Sequence, residues 1–397
     1  MKKLRVFNVL AIVAVVCGTQ EQRSPLVVDS TQHIASYDLL EDTLINNELV
    51  VSFVVFRHGD RTPDPLELAL YPAWKIDDKV FYPYGKKALT IKGKQREFVL
   101  GQLLRHRYND TISELYLPEE LSVRTTDFAR TKMSALAVLA AMYLPHPVQQ
   151  WHPDINWQPV PYSTIPHKDD DLVYFENCDR HKQLLKKVYD IPAIREIIES
   201  YGDLFKLLSA KTGRKITTPD EVFFLDNLFQ ATENVGVSTP QWAVDVMPQI
   251  KNMTKIAYYC HYYNSELIRL TSGVLMSDIV NKTKAAIAGN TDVAKLYLYS
   301  AHEDNVAALL AALRVFEPHQ PIYGSAAILE LRRNRDTGKY GVMVVYASET
   351  GVPGQVLPIA DCGGAPICDY DKFIKLTQDL LLTRQEFKNL CSTPLTY

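Results

Sequence analysis

The segment Arg57–Pro63, with the sequence RHGDRTP, places one arginine on each side of a histidine. Arginine presents planar pairs of N–H donors that match phosphate oxygens two at a time. Positive neighbours disfavour protonation of the His58 imidazole, so it stays neutral and nucleophilic. Gly59 permits a tight turn and a close approach of the backbone to a ligand. These residues predict a phosphate site beside a nucleophilic histidine.

A second interpretation of this segment is a surface loop whose arginines pair with Asp60 and Asp64. The segment directly follows the apolar run Leu49–Phe56, which is typical of a buried parallel strand. Ligand sites of α/β proteins form at the carboxyl edge of such strands. This position therefore favours the phosphate site.

Two further polar residues follow short hydrophobic runs. Arg124 comes after Leu121–Val123, and His302 comes after the strand that we predict over Lys295–Ser300. Both residues could belong to the same site, but each could instead have a purely structural role. Arg124 could form an ion pair with Asp127, and His302 could be a hydrogen-bonded histidine of the core.

Helices and strands alternate around these residues. The Ala- and Leu-rich stretch Arg130–Tyr143 predicts a helix, and residues 177–250 are helical throughout in pattern. The runs Ala326–Arg332 and Tyr340–Tyr346 predict an antiparallel strand pair with a turn at residues 336–338.

This order predicts an α/β sandwich that carries an inserted helical cap. We assign residues 47–150 and 255–397 to the α/β domain and residues 151–254 to the cap, with the site between them.

The composition is that of an ordinary globular protein, with 397 residues, 47% hydrophobic content and a net charge of −3. No stretch is strongly basic, so nucleic acid is not an expected partner.

The N-terminus has a different pattern. Lys2, Lys3 and Arg5 precede the apolar run Val6–Cys17, which predicts a signal peptide over residues 1–18. The alternative is a membrane anchor, but the run falls short of the roughly 20 residues that span a bilayer. We therefore expect a secreted product without a membrane segment after cleavage, in which residues 19–46 form a loose leader.

The cysteines and sequons agree with export. One of the six cysteines lies in the signal, so the remaining five allow at most two internal disulfides and leave one thiol. N-glycosylation is predicted at Asn109, Asn252 and Asn281, each in an N-x-Thr sequon.

The heptapeptide resembles the signature of the histidine acid phosphatases, the secreted branch of the histidine phosphatase superfamily. Ser122–Ala135 resembles the second arginine motif of this family, and Tyr299–Glu303 resembles its distal histidine–acid motif. The similarity extends over about residues 49–391, and the chain resembles the animal prostatic, lysosomal and insect venom-type enzymes.

This resemblance implies a three-layer α/β sandwich of the phosphoglycerate-mutase type with a mainly parallel sheet. It also implies homodimers and metal-free hydrolysis of phosphate monoesters at acidic pH. His58 would become phosphohistidine, while Arg57, Arg61 and Arg124 clamp the phosphoryl oxygens. His302 would donate a further hydrogen bond to the phosphoryl group.

The chain departs from the family at the proton donor. The family has Asp directly after the distal histidine, whereas this chain has Glu303 followed by Asp304. We prefer Glu303 as the acid that protonates the leaving alcohol, with Asp304 as the alternative. Both residues also suit the start of a helix.

The family also implies the disulfides Cys178–Cys391 and Cys362–Cys368. The family partner of Cys260 would stand near Ala326, where this chain has no cysteine, so Cys260 is expected to be a free, buried thiol. No metal-ligand spacing occurs, and no cofactor is expected.

Two rival functions are a phytase or inositol polyphosphate phosphatase of the same superfamily, and a catalytically weak phosphatase-fold binding protein.

Overall fold

The structure is a computed structural model that describes residues 43–173 and 177–392. The predicted signal peptide, and the predicted leader up to residue 42, lie outside the described residues.

One mixed sheet organises the fold. Its strands are β1 (Asn47–Arg57), β2 (Leu121–Thr125), β3 (Ser163–Thr164), β4 (Leu296–Ala301), β5 (Ala326–Asn334), β6 (Tyr340–Ala347), β7 (Gln355–Val356) and β8 (Cys368–Asp369). They are ordered β3-β2-β4-β1-β5-β6-β7, and β8 pairs with β6.

The strands on the β3 side of the sheet, from β3 to β1, run parallel to one another. β5 and β6 form the predicted antiparallel pair, in which Ala326 is opposite Ala347. In register, Arg57 of β1 lies beside Ala301 of β4, and Thr125 of β2 lies beside Ser300. The carboxyl ends of β1, β2 and β4 therefore meet at one edge of the sheet.

The helices lie on both sides of this sheet and in the cap. They are α1 (Pro65–Leu68), α2 (Ile91–Arg107), α3 (Ala129–Met142), α4 (Asp179–Tyr189), α5 (Pro192–Glu199), α6 (Gly202–Thr212), α7 (Pro219–Glu233), α8 (Gln241–Asp245), α9 (Met247–His261), α10 (Ser265–Ile287), α11 (Glu303–Ala312), α12 (Tyr370–Thr377) and α13 (Arg384–Ser392). Short 3-10 turns occur at Asp78–Phe81, Pro147–Gln149, His167–Asp169, Ala360–Cys362 and Gln378–Leu380.

Side chains of β1 alternate between two hydrophobic cores, as the period of two along a strand requires. Phe53 and Val55 belong to one core, which includes residues of α10, α11, α12 and α13. Val54 and Phe56 belong to the other, which includes residues of α2 and α3. The sheet is thus covered by helices on both faces, and the expected three-layer sandwich is confirmed.

A third core lies among helices α4 to α9, which lie mostly within the range that we predict as the cap. It includes Leu70 and Tyr71, which follow α1 in the sequence, and Leu267 of α10. The predicted cap boundary at residue 254 falls inside α9, because Met253 and Ile256 on either side of it pack into this core. At the other end of the predicted cap range, β3 pairs with β2 of the main sheet.

Two disulfides connect distant and local parts of the chain. Cys178 pairs with Cys391, which joins the start of α4 to α13, and Cys362 pairs with Cys368. Cys260 is a free, buried thiol, as expected.

Among the described residues, no helix combines the length and apolar character that a membrane span requires.

Candidate active site

The two histidines meet because each directly follows one of two adjacent parallel strands. The backbone N–H of His58 donates to the carbonyl of Ala301, which directly precedes His302. The two imidazole ring centroids are 5.5 Å apart and the rings are steeply inclined to each other. The structure therefore brings together the two histidines that the sequence separates by more than half the chain.

Gly59 lets the loop after β1 lie directly against α2. A Cβ atom at Gly59 would come within 2.8 Å of the Cα of Gly93 and even closer to its carbonyl oxygen. The Gly59 N–H donates to the Ser134 hydroxyl of α3 at 3.2 Å. Helices on the same face of the sheet thus fix the backbone next to His58.

His58 is buried and has a defined tautomer. Its Nδ1 atom is 2.9 Å from the carbonyl oxygen of Gly59. Because a carbonyl only accepts, Nδ1 carries the proton and Nε2 carries the lone pair. Burial lowers the pKa of His58 well below its usual value, and the charge of Arg130 lowers it further. The imidazole is therefore neutral and nucleophilic at Nε2.

Arg57 is fully buried and held by two acceptors. One guanidinium nitrogen donates to the carbonyl of Pro321 at 2.7 Å, and the other donates to Oε1 of Glu303 at 3.0 Å. Arg61 makes a two-point ion pair with Glu67 of α1, at 2.8 and 2.5 Å. The Nε atoms of both arginines are buried and have no hydrogen-bond partner among the described residues.

The alternative of a surface loop is wrong. Asp60 is buried and pairs with Arg96 and Lys92 of α2 rather than with the arginines beside His58. Asp64 pairs with Lys87 at 3.0 Å and caps α1. The aspartates therefore hold the loop in place and leave both arginines for the site.

Arg124 and Arg130 have different surroundings. A guanidinium nitrogen of Arg124 lies 2.8 Å from Oδ2 of Asp170, whereas Asp127 pairs with Lys132. Arg124 is thus in an ion pair, but with a different carboxylate from the one that the sequence suggested. Its expected role as a ligand of the phosphoryl oxygens stays a prediction.

Arg130 lies at the first turn of α3, with Nη2 3.3 Å from Nδ1 of His302. Of the charged groups that lower the pKa of His58, it has the largest effect. Burial and the charge of Arg61 lower the pKa of Arg130 itself to about 10. The sequence alone gives Arg130 no distinct role, although this residue lies within the segment Ser122–Ala135 and in the first turn of the helix that follows β2.

His302 is half-buried and uses both ring nitrogens. Nδ1 accepts from Arg130, so Nε2 carries the proton and donates to the Thr126 hydroxyl at 3.0 Å. Burial and Arg130 lower the pKa of His302 well below its usual value. Its hydrogen-bond partners are polar groups of the site, and its ring also contacts Phe128. Since Nε2 donates to Thr126 in this structure, the expected hydrogen bond from His302 to the phosphoryl group stays a prediction.

Glu303 and Asp304 occupy the first turn of α11, after His302 as the N-cap. Glu303 is buried, pairs with Arg57, and accepts from the Asn227 amide of α7 at 3.3 Å. Burial alone would raise the pKa of Glu303, but Arg57 and Arg61 outweigh it and lower that pKa. Asp304 is half-buried. Burial and then the charge of Asp304 raise the pKa values of Tyr258 and Tyr262.

One nitrogen each from His58 and His302 and one oxygen of Glu303 lie within 4.8 Å of one another, a spacing at which three ligands could hold a metal ion. The charges around them oppose this, because Arg57, Arg61 and Arg130 all act on the same groups. A site surrounded by guanidinium groups suits an anion such as phosphate better than a divalent cation.

Comparisons with known proteins agree with this geometry. A family model described as histidine phosphatase superfamily (branch 2) matches residues 48–347. The chain is 32% identical to venom acid phosphatase of Apis mellifera over 86% of this chain and 88% of that protein. It is 30% identical to human prostatic acid phosphatase over 89% of this chain and 90% of that protein.

Among solved structures, Hafnia alvei phytase in complex with myo-inositol hexakis sulphate is similar with a TM-score of 0.62 and 15% identity. The match covers 88% of this chain and all of the phytase chain, which shows a shared fold. With the family match and the relatives near 30% identity, the conclusion is that the chain belongs to branch 2 of the histidine phosphatase superfamily.

Proposed function

We propose that this protein is an acid phosphatase that hydrolyses phosphate monoesters through a phosphohistidine intermediate on His58. The observation that carries the proposal is a neutral imidazole, with its lone pair on Nε2, beside the buried Arg57 and Arg61 and the half-buried Arg130. Acid phosphatases are the relatives near 30% identity, whereas the phytases share the fold at about 15%. We therefore prefer a general acid phosphatase to a phytase.

In the first step, Nε2 of His58 attacks phosphorus and the bond from phosphorus to the ester oxygen breaks. The leaving oxygen takes a proton from Glu303 and departs as an alcohol. The developing charge on the phosphoryl oxygens is stabilised by Arg57, Arg61 and Arg130.

In the second step, a water molecule gives a proton to the Glu303 carboxylate, and the water oxygen attacks phosphorus. The bond between phosphorus and Nε2 breaks and inorganic phosphate forms, which leaves His58 neutral and Glu303 protonated, as they were in the substrate complex. When phosphate departs, Glu303 loses this proton to solvent and returns to the ionised state of the free protein. Both steps use the same carboxyl group, first as an acid and then as a base.

The ionised state of Glu303 in the free protein has a consequence for this mechanism. Arg57 and Arg61 lower the pKa of its carboxyl group, so it has no proton to donate before substrate binds. A bound phosphate offsets the charge of these arginines and raises that pKa. Glu303 therefore takes up a proton when substrate binds, and acidic pH favours this protonated complex.

The test is to trap the intermediate. Rapid quench with labelled substrate should place acid-labile, base-stable phosphate on His58, and His58→Ala should abolish turnover without loss of fold. His106→Ala, an exposed histidine of α2, is the matched control and should be fully active. A chelator should leave activity unchanged. Turnover by His58→Ala above a small fraction of wild type contradicts the mechanism, and an inactive wild type favours the binding-protein alternative.

We also propose that the protein is secreted after cleavage at about residue 18. The two disulfides support an oxidising compartment. The sequon residues Asn109 and Asn281 are exposed and Asn252 is half-buried on α9, which supports glycan attachment at the first two. Homodimerisation remains a proposal from the family, and size-exclusion chromatography with light scattering tests it.

A further inference from the structure

Tyr323 is a buried residue of the site that the mechanism above does not use. It lies in the segment that wraps around Arg57, whose backbone N–H donates to the carbonyl of Ser325 and whose guanidinium donates to that of Pro321. The Tyr323 ring covers the Arg57 guanidinium at 4.0 Å, and its centroid is 5.8 Å from that of His58.

The hydroxyl of Tyr323 is buried and has no hydrogen-bond partner among the described residues. A buried hydroxyl without a partner costs free energy, so a native protein rarely keeps one without a reason. The nearby Nε atoms of Arg57 and Arg61 are unpartnered in the same way. Unmet donors therefore cluster around the nucleophile.

The charged residues that act on the Tyr323 hydroxyl include residues of the proposed mechanism. Burial raises the pKa of Tyr323, whereas Arg61 and Arg57 have the opposite effect and Glu67 and Glu303 add to the rise. The net rise keeps the hydroxyl protonated, so it can donate a hydrogen bond at any pH where the enzyme works. Its electrostatic partners are both arginines beside His58 and the proton donor.

We propose that Tyr323 is a further catalytic residue, whose hydroxyl donates a hydrogen bond to the phosphoryl group as it moves to and from His58. The Tyr323 ring lies against the Arg57 guanidinium and near the His58 ring, so a phosphoryl group bound by His58 and Arg57 would lie next to this side chain. The Tyr323 proton stays on its oxygen, and no bond of Tyr323 breaks. The inference rests on the proposed function of the site.

The test compares Tyr323→Phe with Tyr143→Phe. Tyr143 also has a buried hydroxyl without a partner, at the end of α3 and in the core on one face of the sheet. With nitrophenyl phosphate, Tyr323→Phe should lower kcat/KM about 10- to 100-fold, the effect of losing one hydrogen bond to a charged group. Inhibition by vanadate should weaken by a similar factor, and Tyr143→Phe should change neither value.

Thermal stability separates this role from a structural one. Removing an unpartnered hydroxyl should leave the Tm of Tyr323→Phe equal to or above that of wild type. A fall of several degrees would show that the hydroxyl has a partner in the free protein and would overturn the proposal. So would a kcat/KM within twofold of wild type.

A second variant, Tyr323→Leu, removes the ring as well. If Tyr323→Leu loses activity while Tyr323→Phe keeps it, the residue only packs on Arg57 and the proposal is wrong. An inactive wild-type protein would instead contradict the proposed function, so the two failures are distinguishable.

Discussion

The Nη2 atom of Arg57 lies 3.0 Å from the Oε1 atom of Glu303, and less than a tenth of either side chain is exposed. The arginine that we propose to bind the phosphoryl group therefore also holds the proposed proton donor in its ionised form. Burial raises the pKa of Glu303, whereas Arg57 and Arg61 lower it further than burial raises it, so an anion bound to these arginines should alter the protonation of Glu303. In the proposed mechanism, this pair couples substrate binding to acid catalysis.

Glu303→Gln should lower kcat/KM for an alkyl phosphate by about 10²- to 10⁴-fold, the usual contribution of a general acid. The loss should be much smaller for a nitrophenyl ester, because its phenolate leaves without a proton. Steady-state kinetics on the two substrates measures this difference. An equal loss on both would show that Glu303 acts on something other than the leaving group.

The matched control is Asp304→Asn, one residue further along α11. The Asp304 side chain acts on Tyr258 and Tyr262, and its backbone carbonyl accepts from the Tyr262 hydroxyl at 2.7 Å. We expect little change on either substrate. If Asp304→Asn shows the leaving-group dependence and Glu303→Gln does not, the two roles are exchanged.

Replacing each arginine of the second motif should separate activity from stability. Arg130→Met should lower kcat/KM by about 10²-fold or more, as loss of a donor to a developing anion does. Arg124→Met should leave activity within tenfold but lower the free energy of unfolding by about 3 kcal/mol, because Asp170 is left buried without its partner. Urea unfolding and kinetics on both variants measure the two effects. The opposite pattern would restore Arg124 as the phosphate ligand.

These two arginines also show where sequence reasoning ends. The position of His58 could be predicted, because an apolar run followed by Arg-His-Gly places a side chain at the edge of a sheet. The choice between Arg124 and Arg130 depends on how α3 begins and on Asp170, which comes from a loop far along the chain. No periodicity in the sequence encodes that contact.

The same limit applies to the cap. The helical pattern predicted its elements, but the end of its core depends on which residues of α9 face inward. Asn227 of α7 reaches Glu303, and Tyr323 covers Arg57. Both contacts join segments that are distant in sequence, so neither could be predicted from local patterns.

Removing the two disulfides should have unequal effects. Cys178 and Cys391 are 213 residues apart, whereas Cys362 and Cys368 are six apart. Loop-closure entropy assigns about 5 kcal/mol to the long loop and about 2 kcal/mol to the short one, as upper values. Urea unfolding of the two Cys-to-Ser double variants should show the larger loss for the long-range bridge.

The buried thiol of Cys260 gives an independent readout of the same experiment. It should react with a thiol reagent only when the cap opens, since the side chain is fully buried. Labelling should be faster without the long-range bridge. Cys178 directly precedes the cap helix α4, and residues of α4 pack in the same core as Cys260. Equal labelling rates in both double variants would mean that the bridge does not restrain the cap.

The pH dependence of kcat/KM should reveal the charge of Arg130 at the nucleophile. Burial and then Arg130 lower the pKa of His58, so the imidazole stays neutral and active well below pH 6.5 in wild type. Removing this positive charge makes protonation easier, which raises the pKa of His58 and moves the acidic limb of the profile to higher pH. Arg130→Met should therefore lose activity fastest at low pH, while Arg124→Met keeps the wild-type profile. Nitrophenyl phosphate is the suitable substrate, because its leaving group needs no proton and the limb then reports the nucleophile rather than Glu303. An acidic limb that does not move in Arg130→Met would mean that burial alone keeps His58 neutral.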